Sequence, residues 1–317
     1  QRIAYAALLL VAVLILNFTM MNLAPGDVAD TIAASMGGAD AELMAAIRAE
    51  YGLDQPFFVQ LTAYIGRVLS FDLGYSYFYN QPVTALIFER LPATLLLVVS
   101  AQLLALVVGV LMGVFAARKP NGLLSHFVTL FALFGYAAPV FWTGILLLIA
   151  FSLKIPLFPV AGMVDVTVEG GFLAHALDVA HHLVLPMLTL SSIFLALYSR
   201  LCRASMLEVL GSDYVRTAKA KGLSRREVTL KHALKNALPP VVTLAGLQFS
   251  AVISGAVLVE TVFSWPGLGQ LALTSILARD TPTILGILFF SALVVVVGNL
   301  LTDLVLRLID PRMRGRT

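Results

Sequence analysis

The chain has 317 residues, of which 59% are hydrophobic and 12% charged, with a mean hydropathy of +0.92 and a formal net charge of +3. A soluble domain carries about a quarter charged residues, so the composition excludes an ordinary globular protein and describes an integral membrane one, with lipid and not nucleic acid as its surroundings. The single cysteine, Cys202, excludes an intrachain disulfide, and its apolar setting suggests an inert buried thiol.

Ile3 to Leu23 is an apolar run of 21 residues behind Arg2, long enough to cross a bilayer core of about 30 Å. A signal peptide is the rival reading, but its apolar core should be only about 7–15 residues. Residues 1–24 are therefore expected to be a retained first span. The chain opens on Gln1, which leaves room for residues ahead of it.

Residues 25–91 form the longest non-spanning stretch, with a helical piece at Ala41–Tyr51 interrupted by Gly-Leu-Asp-Gln-Pro at 52–56. Eight acidic residues there face three arginines, Arg48, Arg67 and Arg90. This reads as a soluble helical cap on the outer, periplasmic side. The second span is expected from Pro92 to Ala117, where Ala101, Ala105, Gly109, Gly113 and Ala117 recur at every fourth residue. Small side chains in that register let another helix approach closely. Arg118 and Lys119 mark a short inner loop.

Leu123 to Leu153 is a third hydrophobic stretch, able to tilt or bend at Pro139. An outer loop from Lys154 to Asp178 follows, with His175, His181 and His182 in or near it. Their spacing gives no clear ligand set, so they read as interfacial or solvated, with no metal site. The fourth span is expected at Leu183–Cys202 and the fifth at Pro240–Val259, where Gly246, Ser250 and Ser254 share a face beside Ala251 and Gly255. Glu260 to Pro282 reads as an outer loop whose Trp265 suits the interfacial aromatic belt. Thr283 to Ile309 is the sixth span, with Asp303 and Arg307 four apart and able to pair.

Between spans four and five lies the most charged stretch, Gly211 to Pro240. Ser212 or Asp213 can cap a first short helix. Gly222 fits the left-handed position past its end, with Lys219 and Lys221 in the last turn against the negative end of the helix dipole. Ser224-Arg225-Arg226-Glu227 matches a capping box that starts a second helix, running toward Pro239-Pro240. A merely lipid-anchoring basic loop needs positive charge, but it needs neither the glycine elbow nor the capping box.

Tyr214-Val215-Arg216-Thr217-Ala218-Lys219-Ala220-Lys221-Gly222-Leu223 resembles the coupling-helix motif of ABC importer permeases, in the form used by the dipeptide/oligopeptide group. The resemblance extends through Ala24-Pro25-Gly26-Asp27, Gly52-Leu53-Asp54-Gln55-Pro56, Glu89-Arg90-Leu91-Pro92-Ala93-Thr94, Pro139-Val140-Phe141-Trp142 and Phe263-Ser264-Trp265-Pro266-Gly267-Leu268-Gly269. These ordered blocks cover nearly the whole chain. Arg216-Thr217-Ala218 stands where the generic importer motif has Glu-Ala-Ala, and Lys235 lies near a position where that motif often has proline.

Six spans put both termini on one side. Sixteen of the 21 Lys and Arg then share that side, against two on the other once the long first loop is set aside. By the positive-inside rule the elbow and both ends are cytoplasmic. The chain shows no G-x-x-x-x-G-K-[ST] phosphate loop, no H-E-x-x-H and no ionisable residue in the centres of the expected spans. A proton-driven pump usually needs such groups, so the motor is expected elsewhere.

The expected fold is all-α and membrane-integral: six transmembrane helices, a large periplasmic loop between the first two and a cytoplasmic coupling helix at about 213–221, with residues 92–317 as the permease core. The resemblance implies the first, B-type permease subunit of a bacterial inner-membrane importer for short peptides or peptide-like solutes. It implies a second homologous permease as heterodimer partner, two ATPase subunits that bind the ATP and Mg, and an external solute-binding protein. This chain itself would be non-catalytic and hold no cofactor. The implied ATPase-coupling residues are Asp213, Tyr214, Arg216, Thr217, Ala218, Lys219, Ala220, Lys221 and Gly222. Similar permeases carry glutathione, nickel complexes or peptide antibiotics. A stand-alone secondary transporter or channel, and a scaffold without transport, are the rival readings.

Overall fold

The computed structural model describes residues 2–23, 29, 41–50 and 52–309. Its helices are α1 (Arg2–Leu23), α2 (Ala41–Glu50), α3 (Phe57–Leu69), α4 (Val83–Arg118), α5 (Leu123–Ala137), α6 (Val140–Leu148), α7 (Phe172–Leu210), α8 (Asp213–Ala220), α9 (Arg225–Glu227), α10 (Lys235–Leu247), α11 (Phe249–Val262), α12 (Leu268–Ala278) and α13 (Thr281–Ile309). Two π-helical turns, Ile149–Lys154 and Val228–Leu234, continue α6 and join α9 to α10. A two-stranded hairpin, β1 (Tyr75–Ser76) with β2 (Gln81–Pro82), pairs Tyr75 with Pro82.

Among the described residues α4, α7 and α13 are long and apolar enough to cross a membrane unbroken, and two bent pairs raise the number of candidate spans to five. In α1, Tyr5–Met20 is a shorter apolar helix. The first bent pair turns through 108° between α5 and α6. Ala138, which precedes Pro139, is extended (φ −80°, ψ 128°), the conformation that the proline ring favours in the residue before it.

Several expected boundaries differ. The second span begins at Val83, with Pro92 inside the helix; a proline removes one backbone bond, which a long apolar helix absorbs. The fourth begins at Phe172 and runs for 39 residues through Pro186, about 58 Å at helical rise, so the outer loop ends earlier than its composition suggests. The fifth is a bent pair, Arg225–Leu247 and Phe249–Val262, turning by 52°. It passes through Pro239 and Pro240. Because the break falls at Gln248, Gly246 and the Ser250–Ser254 pair belong to different helices and share no continuous face. The stretch after Glu260 contains α12 instead of a plain loop, and Trp265 is fully buried and not part of an interfacial belt. The side chain of Arg307 lies outside the described residues, and with it the expected pairing to Asp303.

The chain divides into two compact units, Gln1–Ala93 with Gly267–Val296, and Thr94–Pro266 with Val297–Thr317. The first has a core of Leu14, Val68, Val83, Leu86, Ile87, Leu268, Leu271 and Phe290. Within it the buried carboxylate of Asp280 accepts hydrogen bonds from Ser76 Oγ (2.5 Å) and Thr283 Oγ1 (2.6 Å), tying the hairpin to the start of α13. In the second unit α5, α6, α10 and α11 all pack on α7.

The small-residue ridge of α4 meets α7. A Cβ at Gly113 would lie 2.6 Å from Cys202 Cβ and 2.8 Å from the Ser199 carbonyl oxygen, so only glycine allows this approach. Beside it, Gln102 Nε2 donates to Tyr198 Oη and to the Ala245 carbonyl, both at 3.1 Å, joining α4, α7 and α10. In the loop before α7, the Thr167 backbone N–H and hydroxyl both donate to Asp165, holding that carboxyl below its ordinary pKa.

Candidate functional site

The connection from α7 to α10 is built by short-range chemistry. Ser212 occupies the residue before α8 in an extended conformation (φ −72°, ψ 154°) but makes no side-chain cap. Its hydroxyl donates back to the Val209 carbonyl at 2.6 Å. With only Gly211 and Ser212 between the two helices, the last free carbonyls of α7 lie within reach and win the hydroxyl. Asp213 sits inside the first turn, where its carboxylate meets Arg216 at 3.5 Å; both are exposed, so the pair adds little stability.

At the other end Gly222 has φ +80°, in the left-handed region. Its N–H reaches the Lys219 carbonyl at 3.0 Å, and the Leu223 N–H reaches the Ala218 carbonyl at 3.3 Å. These two bonds form a Schellman closure, which satisfies carbonyls that a helix end leaves free. The capping box follows at once. Ser224 Oγ accepts from the Glu227 N–H at 3.2 Å, while the Glu227 carboxylate accepts from the Ser224 N–H at 3.4 Å.

α8 has two faces. Val215 and Ala218 are buried with Val228 in a cluster to which Val209 and Leu210 add. This apolar contact fastens α8 to the end of α7 and to the π-helical turn before α10. Ala218 therefore points inward, and its place among the expected docking residues becomes one of packing. Val215, omitted from that set, is its companion; the three-residue spacing of two apolar side chains in a polar helix was the signal for it. Asp213, Tyr214, Arg216, Thr217, Lys219, Ala220, Lys221 and Gly222 are all exposed. With Arg225, Arg226, Lys231 and Lys235, also exposed, they make a cationic surface.

Tyr214 makes one further link: Asn236 Nδ2 donates to its hydroxyl at 2.9 Å and also reaches the His232 carbonyl at 3.0 Å. Such a surface can dock a protein of complementary charge.

Other polar groups are buried away from the elbow. Glu260, fully buried in the last turn of α11, accepts from Thr94 Oγ1 at 2.6 Å. His182 is buried against Asp178 (Nδ1 to Oδ1, 3.1 Å), so it is not a solvated histidine. His181 lies exposed beside it, 2.8 Å from the Leu157 carbonyl, and His175 is exposed. Among the described residues no three His, Cys, Asp or Glu side chains converge as metal ligands would.

The chain resembles known proteins over nearly its whole length. Residues 109–315 match the family described as binding-protein-dependent transport system inner membrane component, and residues 1–98 match its N-terminal counterpart. The chain is 39% identical over 323 residues to the dipeptide transport system permease protein DppB of Escherichia coli K12, covering 96% of this chain and 95% of that one. It is 38% identical over 307 residues to the oligopeptide transport system permease protein AppB of Bacillus subtilis 168, with the same coverage. Among solved structures, an inward-facing form of the MetNI methionine ABC transporter matches with a TM-score of 0.55, covering 71% of this chain and 96% of that one. At 16% identity that likeness concerns the fold alone.

Proposed function

Because the chain belongs to the family of binding-protein-dependent transport system inner membrane components, we propose that it is the permease subunit of an ATP-driven importer whose cargo is short peptides or peptide-like solutes. The cargo class rests on the dipeptide and oligopeptide relatives of near-complete coverage. The working complex contains a second, homologous permease, two ATPase subunits that bind ATP and Mg, and an external binding protein that delivers the cargo. The chain has six spans in the inner membrane, with both termini and α8 in the cytoplasm.

One observation carries the mechanism. α8 offers an exposed cationic face while its buried side is fixed to the end of α7 and to the π-helical turn that leads into α10. A helix held this way moves as part of them. Closure of the ATPase pair displaces α8 as a rigid body, and the displacement passes through the Gly222 elbow into the bent fifth span. ATP shifts the inward and outward populations by its differential affinity for the two states. Asp213, Tyr214, Arg216, Thr217, Lys219, Ala220, Lys221 and Gly222 form the docking face, with Ala218 beneath it.

Reconstitution tests this reading. Proteoliposomes holding both permeases and both ATPases should take up a labelled dipeptide only with ATP inside and binding protein outside. Uptake by this chain alone would instead establish a stand-alone transporter.

A further inference from the structure

We infer that Asn236 is a positioning residue that passes the movement of α8 to the start of the fifth span, through Tyr214. The inference rests on the coupling reading above and concerns the route by which the motion leaves α8. Among the described residues, the Asn236–Tyr214 bond is the one side-chain hydrogen bond between α8 and α10. The apolar cluster holds the elements together, but it is non-directional and by itself sets no preferred angle between α8 and α10. A hydrogen bond between two side chains fixes distance and angle together.

Asn236 sits where the backbone of the fifth span is least tied. The π-helical turn Val228–Leu234 precedes it, and Pro239 and Pro240 follow. The two prolines carry no N–H, so the carbonyls of Lys235 and Asn236 lose their usual helical donors. An amide side chain has two N–H donors, and Asn236 uses one on Tyr214 and the other on the His232 carbonyl. The side chain therefore clips the docking helix to the turn beside this weak point. Displacement of α8 bends α10 there in place of dissipating in the cluster.

The test counts dialanine taken up per ATP hydrolysed in proteoliposomes of the full complex. Tyr214→Phe deletes only a hydroxyl from an exposed ring, and Asn236→Ala deletes the amide. Each should lower the ratio at least about fivefold, the lower end of typical coupling between sites. The double variant should be no worse than the poorer single, because both remove the same bond. Asn236→Asp, whose carboxylate can accept from the Tyr214 hydroxyl but cannot donate to the His232 carbonyl, should retain part of the ratio with Tyr214 present and lose that part with Tyr214→Phe. Ratios unchanged from wild type, or independent losses that multiply in the double variant, would overturn the inference while leaving the coupling reading intact. A wild-type complex that hydrolyses ATP without uptake would overturn both.

Discussion

Gly222 and Thr94 are the residues at which single atoms decide most. No atom lies within 4 Å of a Cβ built on Gly222, so a side chain there would meet open space and only the backbone would object. At φ +80° a β-branched side chain costs about 1–2 kcal/mol. Gly222→Val should therefore reopen the Schellman turn and reduce ATP-driven uptake, whereas Gly222→Asn, which tolerates this conformation, should retain it; parallel uptake assays separate them. Thr94→Val removes a donor from the buried Glu260 carboxylate. The loss should destabilise the protein by about 1–3 kcal/mol, read as a lower unfolding midpoint in detergent. Residue-level legibility in the sequence followed the range of the chemistry. A glycine forced to positive φ and a Ser-x-x-Glu box are decided within four residues, and both were readable. Ser212 stands at the N-cap position as its sequence context suggests, but the Val209 carbonyl just upstream takes its hydroxyl away from the free N–H groups of α8.

Elements were readable where apolar length alone defines them, as for α1 and α13. They were not readable where a break depends on neighbours. The bend falls at Gln248, itself neither proline nor glycine, and the part-buried polar links of Gln102 join residues 96 and 143 positions apart. The hairpin is only two residues per strand, too short to show a period. The ridge on α4 was legible as a pattern, though its partner α7 was not. That contact gives a clean comparison: Gly113→Ala forces atoms to 2.6 Å and should cost about 1–3 kcal/mol. Gly66→Ala on α3 meets nothing within 4 Å and should leave the midpoint unchanged or slightly raised. Thermal unfolding of the two purified variants in one detergent decides between them.

For the whole molecule, the proposed mechanism puts the motor in a partner subunit and lets work enter this chain through α8 from the cytoplasmic side. Membership of a transport-component family is consistent with that division of labour. Arg216 is the probe of choice, its side chain being three-quarters exposed and paired with Asp213 of the same helix, while the native thiol at Cys202 is buried and out of reach. The most direct measurement is cysteine cross-linking of Arg216→Cys in the assembled complex, with and without ATP. A covalent adduct with an ATPase subunit is expected, formed from the cytoplasmic face and changing in yield when ATP binds. Labelling of that cysteine from the external medium, or an intact complex in which it joins to no ATPase subunit, would contradict it.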